Sequence, residues 1–208
     1  MIRRLHRDQR GVAMVELAFV APVLLLLLLT MLDLANYARI RQQVSQLALQ
    51  IADNSSRITS NNATGVLPIT ETQINDVLVG GSLQASGISI QTRGRIILSS
   101  LEKNDDGGQW LRWQRCAGAL SHPSSWGVEG DGRTGRRFRG MGPSGSRMEA
   151  EEGEPVMFVE IAYSYRPLVT GRLTALDPFV ETAAMPVRSD RSSEPITNGE
   201  GVAVSACG

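Results

Sequence analysis

The feature that most constrains this chain is an apolar run from Val12 to Leu32, about 21 residues long and interrupted only by Glu16, Pro22 and Thr30. Leu24 to Leu29 is an unbroken block of leucine. A helix needs about 20 residues to cross the hydrocarbon core of a bilayer, because each residue advances it by about 1.5 Å. The flanks predict its direction. Arg3, Arg4, Arg7 and Arg10 precede the run with His6 and a single acid, Asp8, whereas Asp33 follows it and Arg39 and Arg41 come only later. The positive-inside bias then leaves the N-terminus in the cytoplasm and the rest of the chain outside.

A cleaved secretory signal fits less well. The run exceeds an ordinary signal core, and Leu34-Ala35-Asn36-Tyr37-Ala38 offers no clean small-x-small cleavage site. Helical periodicity also persists beyond the run. Val44, Leu47, Ala48, Ile51 and Ile58 recur at helical spacing, with Gln42, Gln43, Gln46, Gln50 and Asn54 on other faces. No Gly or Pro interrupts the chain between Pro22 and Gly65. The pattern predicts one helix from Val12 to about Arg57, with its outer half laid against a water-soluble domain.

The 208 residues suffice for such an anchor and one domain of ordinary size. Net charge is zero, so no global field draws the chain to nucleic acid. Cys116 and Cys207, the only cysteines, both fall on the side placed outside the cytoplasm, where a disulfide persists. Such a bridge would close a loop of about 90 residues, for which the loop-entropy model gives up to about 4–5 kcal/mol. Two free, buried thiols are the alternative.

Glu16 is out of place in an apolar run. An acid in the bilayer is costly and by default a functional candidate, although Glu16 lies close enough to the cytoplasmic interface to snorkel. Its setting is Arg10-Gly11-Val12-Ala13-Met14-Val15-Glu16: a basic leader ends in Gly, and Glu is the fifth residue after it. This resembles the processing site of type IV pilin-like proteins. The longer stretch from Arg10 to Arg41 adds a Pro at position 22 and the leucine run, and is similar to the start of TadE/TadF-type pseudopilins of the tight-adherence (Flp) pilus machinery. A weaker echo is Val159 to Pro167, like that family's late Tyr-x-Tyr-x-Pro strand. Val12, where ordinary major pilins have Phe, suits the TadE-like group.

The resemblance implies cleavage after Gly11 by a prepilin peptidase, removal of the leader 1–11, and a new ammonium on Val12. It also implies that Glu16 neutralises that charge, on its own chain or on a neighbouring subunit, during assembly. Bottom-up chemistry agrees. Gly11 lacks a Cβ and lets a protease approach its backbone, a carboxylate one turn along can balance an ammonium, and Pro22 deletes the helix bond to the Ala18 carbonyl, loosening the helix. The implied partners are the peptidase, other pilins or pseudopilins, the assembly platform and membrane lipid.

Beyond the anchor (12–33) and its continuation (34–58), residues 59–208 read as a periplasmic α+β domain. Ser60 to Pro68 reads as a linker. Thr70 to Val79 reads as a helix with a Thr-x-x-Gln capping pattern, stopped by Gly80-Gly81. From Leu83 the pattern turns to strands, with Ile88 and Ile90 alternating. Arg95 to Leu101 and Gln109 to Cys116 form a hairpin across Asn104 to Gly108. Met157 to Tyr165 is the best strand by residue type, and Phe179 to Arg188 is the last. The expected fold is therefore a long N-terminal transmembrane helix running into a pilin-like domain, with an antiparallel sheet of about four strands packed on the helix. The segment 118–154, with eight glycines from Gly127 on, reads as a flexible, solvated inter-strand loop, or else as a contact surface for a neighbour. Ser189 to Ala206 reads as a polar tail unless a disulfide ties it down.

Enzymatic readings find no support, and no catalytic residue, metal site or cofactor is expected. His6 and His122 are the only histidines, and His122 lies before Pro123 in the glycine-rich segment. No Cys/His metal spacing and no phosphate-cradling loop occur. Trp110 and Trp113, an odd number of residues apart, are expected on opposite faces of their strand. The leading function is a structural minor pilin or pseudopilin. The alternatives are a membrane-tethered periplasmic binding module or hydrolase, and a pseudopilin of a type II secretion apparatus.

Overall fold

A computed structural model describes residues 10–58, 61–62, 65–66, 68–168, 178–188 and 195–207. Most of the expected leader, and parts of the expected linker and polar tail, lie outside the described residues. The elements are α1 (Arg10–Ser56), β1 (Asn61–Asn62), β2 (Gly65–Val66), α2 (Glu71–Gln84), a 3-10 turn (Ser86–Ile88), α3 (Ile90–Arg93), β3 (Gly94–Lys103), β4 (Gln109–Ala117), β5 (Val156–Tyr163) and β6 (Phe179–Pro186). Two compact units divide the chain: Met1–Arg39 with Arg166–Ala175, and Ile40–Tyr165 with Leu176–Gly208. Helix α1 belongs to the first unit up to Arg39 and to the second from Ile40. The fold is α+β: a long apolar N-terminal helix, then a four-stranded antiparallel sheet with short helices.

In the second unit, α1 buries the stripe predicted from its periodicity. Val44, Leu47, Ala48, Ile51 and Ala52 are all buried, and each large aliphatic chain so placed stabilises the fold by about 1.5–3 kcal/mol. Helix α2 begins with the expected capping box. Thr70 Oγ1 accepts the Gln73 N–H, and Gln73 Oε1 accepts the Thr70 N–H. It does not stop at Gly80-Gly81, however, but runs on to Gln84. Gly81 instead serves packing: a Cβ there would lie 2.7 Å from Ile51 Cδ1, so the missing side chain is what lets α2 approach α1. Ile88 and Ile90 likewise leave the expected strand, Ile88 ending the 3-10 turn and Ile90, buried, opening α3. With so short an alternation, docking of one isoleucine against the core outweighs strand propensity.

The sheet order is β4-β3-β5-β6, every pair antiparallel. Register parity sorts its residues into two faces. One carries Ile96, Leu98, Val159, Ile161, Tyr163, Phe179 and Glu181, and it is the face toward the helices. Arg41 of α1 pairs with Glu181 at 2.6 Å and lies over the Phe179 ring. Arg115 of β4 meets Glu71 of α2 through contacts of 2.5, 2.9 and 3.1 Å, and Glu129 at 2.8 Å. The Glu71 hydrogen bond holds the Arg115 guanidinium above its ordinary pKa against the opposing effect of burial, and the charges of Glu71 and Glu129 add to it. The pairing of β3 with β4 shifts register between Ser100 and Leu101, which leaves Arg112 as the extra residue. Trp110 and Trp113 therefore share this face, contrary to the period-two expectation, because a bulge restores the parity that their spacing breaks. Trp113 is buried, while Trp110 is half-buried beneath the Arg112 guanidinium.

The opposite face carries Ile97, Leu101, Leu111, Val156, Phe158 and Glu160, and the segment 118–154 covers it. Met141 and Ala150 are buried with Leu101, Leu111, Val156 and Phe158, and Trp126, Phe138 and Met148 pack around them. Most of the segment is exposed or half-exposed, as expected of a solvated loop, but it is anchored to the sheet at several points. Met141 and Met148 exchange backbone hydrogen bonds of 3.1 and 2.7 Å, and Gln109 bonds both backbone groups of Ala150. Asn104 of the β3–β4 turn donates to the carbonyls of Gly132 and Gly135, 2.7 Å each. The glycines mark tight turns. Gly132, at φ +75°, would place a Cβ 2.1 Å from the Gln109 carbonyl. Glu160, wholly buried in mid-strand, accepts from Ser124 Oγ, Ser125 Oγ and the Ser125 N–H at 2.6–3.1 Å, and so pins the start of the segment to the sheet.

These contacts make two sets of variants informative. Gly80→Ala, with open space around the new methyl, raises stability by about 0.5–1 kcal/mol through helix propensity. Gly81→Ala shows no such gain because Ile51 must move. Thermal unfolding of the two variants in detergent compares them, and an equal gain at both positions would mean that Gly81 does not set the helix approach. Glu160→Ala strands the Ser124 and Ser125 donors and lowers stability by about 2–4 kcal/mol. Trypsin then cuts faster at Arg133, Arg136, Arg137 and Arg139; an unchanged rate would leave the apolar side chains alone holding the cover.

Candidate functional site

The residues singled out for processing and assembly lie on the part of α1 that belongs to the first unit. Arg10 and Gly11 are the first described residues of this helix. Among the described residues nothing approaches within 4 Å of a Cβ built on Gly11. Val12 and Glu16 are both exposed and stand one turn apart. Helical Cβ bonds tilt toward the N-terminus, which directs Glu16 back over the Val12 turn. Among the described residues no hydrogen bond or ion pair is formed by the Glu16 side chain. Pro22 is inside the helix and exposed, and α1 remains helical through it.

From Val12 to Leu32 the large apolar side chains are exposed, apart from the half-buried Leu29. Leu24, Leu25, Leu26, Leu27 and Leu28 are each more than half exposed. The most apolar 18-residue window has a mean hydropathy of 2.7 and no residue buried within the protein. Water does not tolerate a surface of this size and composition, whereas lipid does. The helix fits a single-pass membrane protein. At its far end Asp33 is buried and accepts the Leu168 N–H at 2.8 Å. In the sequence Asp33 is only a flanking charge; an acid at the border of an apolar run is the signal that marks it.

Residues 11–53 match the family model of TadE-like proteins. The N-terminal segment is TadE-like. No curated protein and no solved structure matches the chain. The match ends at residue 53, near the end of α1, and takes in Gly11, Val12, Glu16 and Pro22. TadE-like proteins are pilus-associated and of a structural, non-enzymatic kind.

Outside the TadE-like segment, the second unit gathers residue types that invite an enzymatic reading. His122 Nε2 is 3.6 Å from Glu160 Oε1, beside Ser124 and Ser125. The wiring differs from that of a nucleophilic triad. Both hydroxyls donate to the carboxylate, none donates to the imidazole, and the carboxylate is sealed from solvent. Sequence reasoning misses Glu160 as a structural centre, although one acid within Met157-Phe158-Val159-Glu160-Ile161-Ala162-Tyr163 is a visible signal. Among the described residues no group of His, Cys, Asp or Glu is arranged to hold a metal.

Cys116 and Cys207 form a disulfide with Cα atoms 4.9 Å apart and a sequence separation of 91. It ties the chain end to β4, where the Cys116 N–H donates to the Ser205 carbonyl at 2.7 Å. The same stretch runs along α2: Asn75 donates to the Ala203 carbonyl and accepts from Ser205 Oγ. Cys207→Ser is expected to lower stability by about 2–4 kcal/mol, less than the full loop-entropy value because these bonds hold the tail independently. Urea unfolding of the oxidised proteins measures the difference, and a loss confined to the reduced samples would contradict it.

Proposed function

We propose that the chain is a structural minor pilin or pseudopilin of a tight-adherence pilus, held in the inner membrane until it is drawn into the assembly. The carrying observation is the coincidence of the TadE-like match with an apolar helix whose side chains find no cover in the protein. In this reading the leader 1–11 faces the cytoplasm, residues 12–33 span the bilayer, and the sheet-bearing unit lies in the periplasm. The disulfide supports that compartment, since such bonds persist where thiols are not kept reduced. A prepilin peptidase cuts after Gly11, around which the described residues leave open space.

Cleavage turns the Val12 amide into an ammonium. Glu16, one turn along and otherwise unengaged by the described residues, is the acid placed to neutralise it, within the chain or between neighbours. Pairing between neighbours would favour stacking of the helices in register and would relieve the cost of both charges in lipid. Pro22 supplies a weak point in the helix hydrogen bonding through which α1 can adapt on leaving the bilayer.

N-terminal sequencing of membrane-extracted protein, from cells with and without the peptidase, tests this reading. The expected start is Val12 with the enzyme and Met1 without it. Glu16→Leu is expected to insert and be cleaved normally while piliation is lost. An intact leader in both cells, or pili formed at the normal level by Glu16→Leu, would overturn the proposal.

A further inference from the structure

The two edges of the sheet are treated differently. On β4 the outward N–H groups are occupied: Leu111 donates to the Asp131 carbonyl, Gln114 to the Glu129 carboxylate and Cys116 to the Ser205 carbonyl, at 2.7–2.9 Å. The glycine-rich segment and the disulfide-tied tail thus close that edge. Unpaired edges invite strand addition, and proteins cover them for that reason.

The direction of each β6 amide follows from the ladder. Cys116 points away from β3, so its partner Ile97 turns its N–H and C=O toward β5 and Glu160. Glu160 is thereby committed to β3, and Thr182 opposite it must point away from the sheet. The strand end confirms the parity: the Val187 N–H turns inward to the Pro155 carbonyl, and that of Arg188 turns outward to the Ser56 carbonyl. Val180, Thr182 and Ala184 therefore present their N–H and C=O groups to the outside. Among the described residues no hydrogen bond reaches these three N–H groups, and none of the three residues has a further partner.

Three observations say what covers this edge. The strand pairs with β5 over its whole length without a bulge, and its one charged residue, Glu181, is already paired with Arg41. The outward positions read Pro178, Val180, Thr182, Ala184, Pro186, a series symmetric about Thr182 in the placement of its prolines and its small or β-branched residues. In an antiparallel pair centred on Thr182, Pro178 falls opposite Pro186, so neither end of the new ladder faces a donor without an acceptor. That is the pattern of a self-complementary, two-fold interface.

We propose that β6 is a docking edge for a second copy of this chain, which adds its own β6 antiparallel with Thr182 opposite Thr182. Val180 of each copy then lies opposite Ala184 of the other. The three hydrogen-bonded residue pairs give about six new backbone bonds and join the two sheets into one. The proposal does not depend on cleavage after Gly11 and holds for the uncleaved chain.

Cysteine cross-linking of the full-length protein, in membranes of a host that lacks pilus proteins and the peptidase, tests it. The native cysteines are joined to each other and leave no competing thiol. Directly opposite residues in a hydrogen-bonded pair lie about 5.5 Å apart, within reach of a disulfide, so Thr182→Cys is expected to form a dimer under mild oxidation. Two copies of Val180→Cys would hold their thiols about 13 Å apart along the strands and are expected to give at least tenfold less. Adding Ala184→Pro to Thr182→Cys removes an outward donor and no bond within the sheet, and should cut the dimer at least fivefold. Equal cross-linking at positions 180 and 182, no dimer from Thr182→Cys while the Cys116–Cys207 bond remains intact, or a product of the mass of another protein would each overturn the proposal.

Discussion

Strand β5 is buried along its entire length, and that condition organises the second unit. A strand shows alternate side chains to opposite sides, so a strand without a wet face needs a layer above and a layer below. The helices supply one: Arg41 of α1 reaches Glu181 and Phe179, and Glu71 of α2 holds Arg115 on the same face. The segment 118–154 supplies the other through Met141, Ala150 and the rings around them. Glu160 is the consequence at the centre of the strand. Buried among apolar residues, a carboxylate persists only where its oxygens are satisfied, and Ser124 and Ser125 provide that without a formal cation at hydrogen-bond distance.

The first unit answers to the opposite constraint. Its apolar side chains from Val12 to Leu32, Leu29 apart, are left exposed, which is stable only in lipid or against other apolar helices. The same helix thus obeys two rules along its length. Up to Leu32 it is apolar all round; from Val44 it narrows to a stripe with glutamines elsewhere. That change of pattern near Asp33 is the physical boundary between a segment solvated by lipid and one solvated partly by protein. The TadE-like match covers both stretches, residues 11–53, and leaves the sheet outside it.

Much of this is legible in the order of residues alone. The helix, its buried stripe, the capping box at Thr70, the β3–β4 hairpin and the two later strands all follow from local periodicity, and each appears within a residue or two of its expected bounds. The departures share one cause. Gly80-Gly81 reads as a helix stop because glycine is usually a terminator, yet the contact with Ile51 that needs Gly81 is 30 residues distant. The density of glycine in 118–154 reads as freedom, whereas positions such as Gly132 are turns pressed against another backbone. Period two assigns Trp110 and Trp113 to opposite faces because no local pattern reveals the bulge at Arg112.

By itself, the sequence determined what depends on neighbours a few residues away: the apolar length that selects a bilayer, the period that continues α1, the leader-Gly-Glu order and the alternation of the strands. Only the tertiary structure decided what depends on residues far apart. It made a satisfied acid of Glu160, a cover of a glycine-rich segment, a packing site of Gly81, and one closed and one open edge of a single sheet. Hydrophobic period and backbone propensity act within a turn or a pleat. Burial, hydrogen-bond satisfaction and edge protection are settled only when distant segments meet.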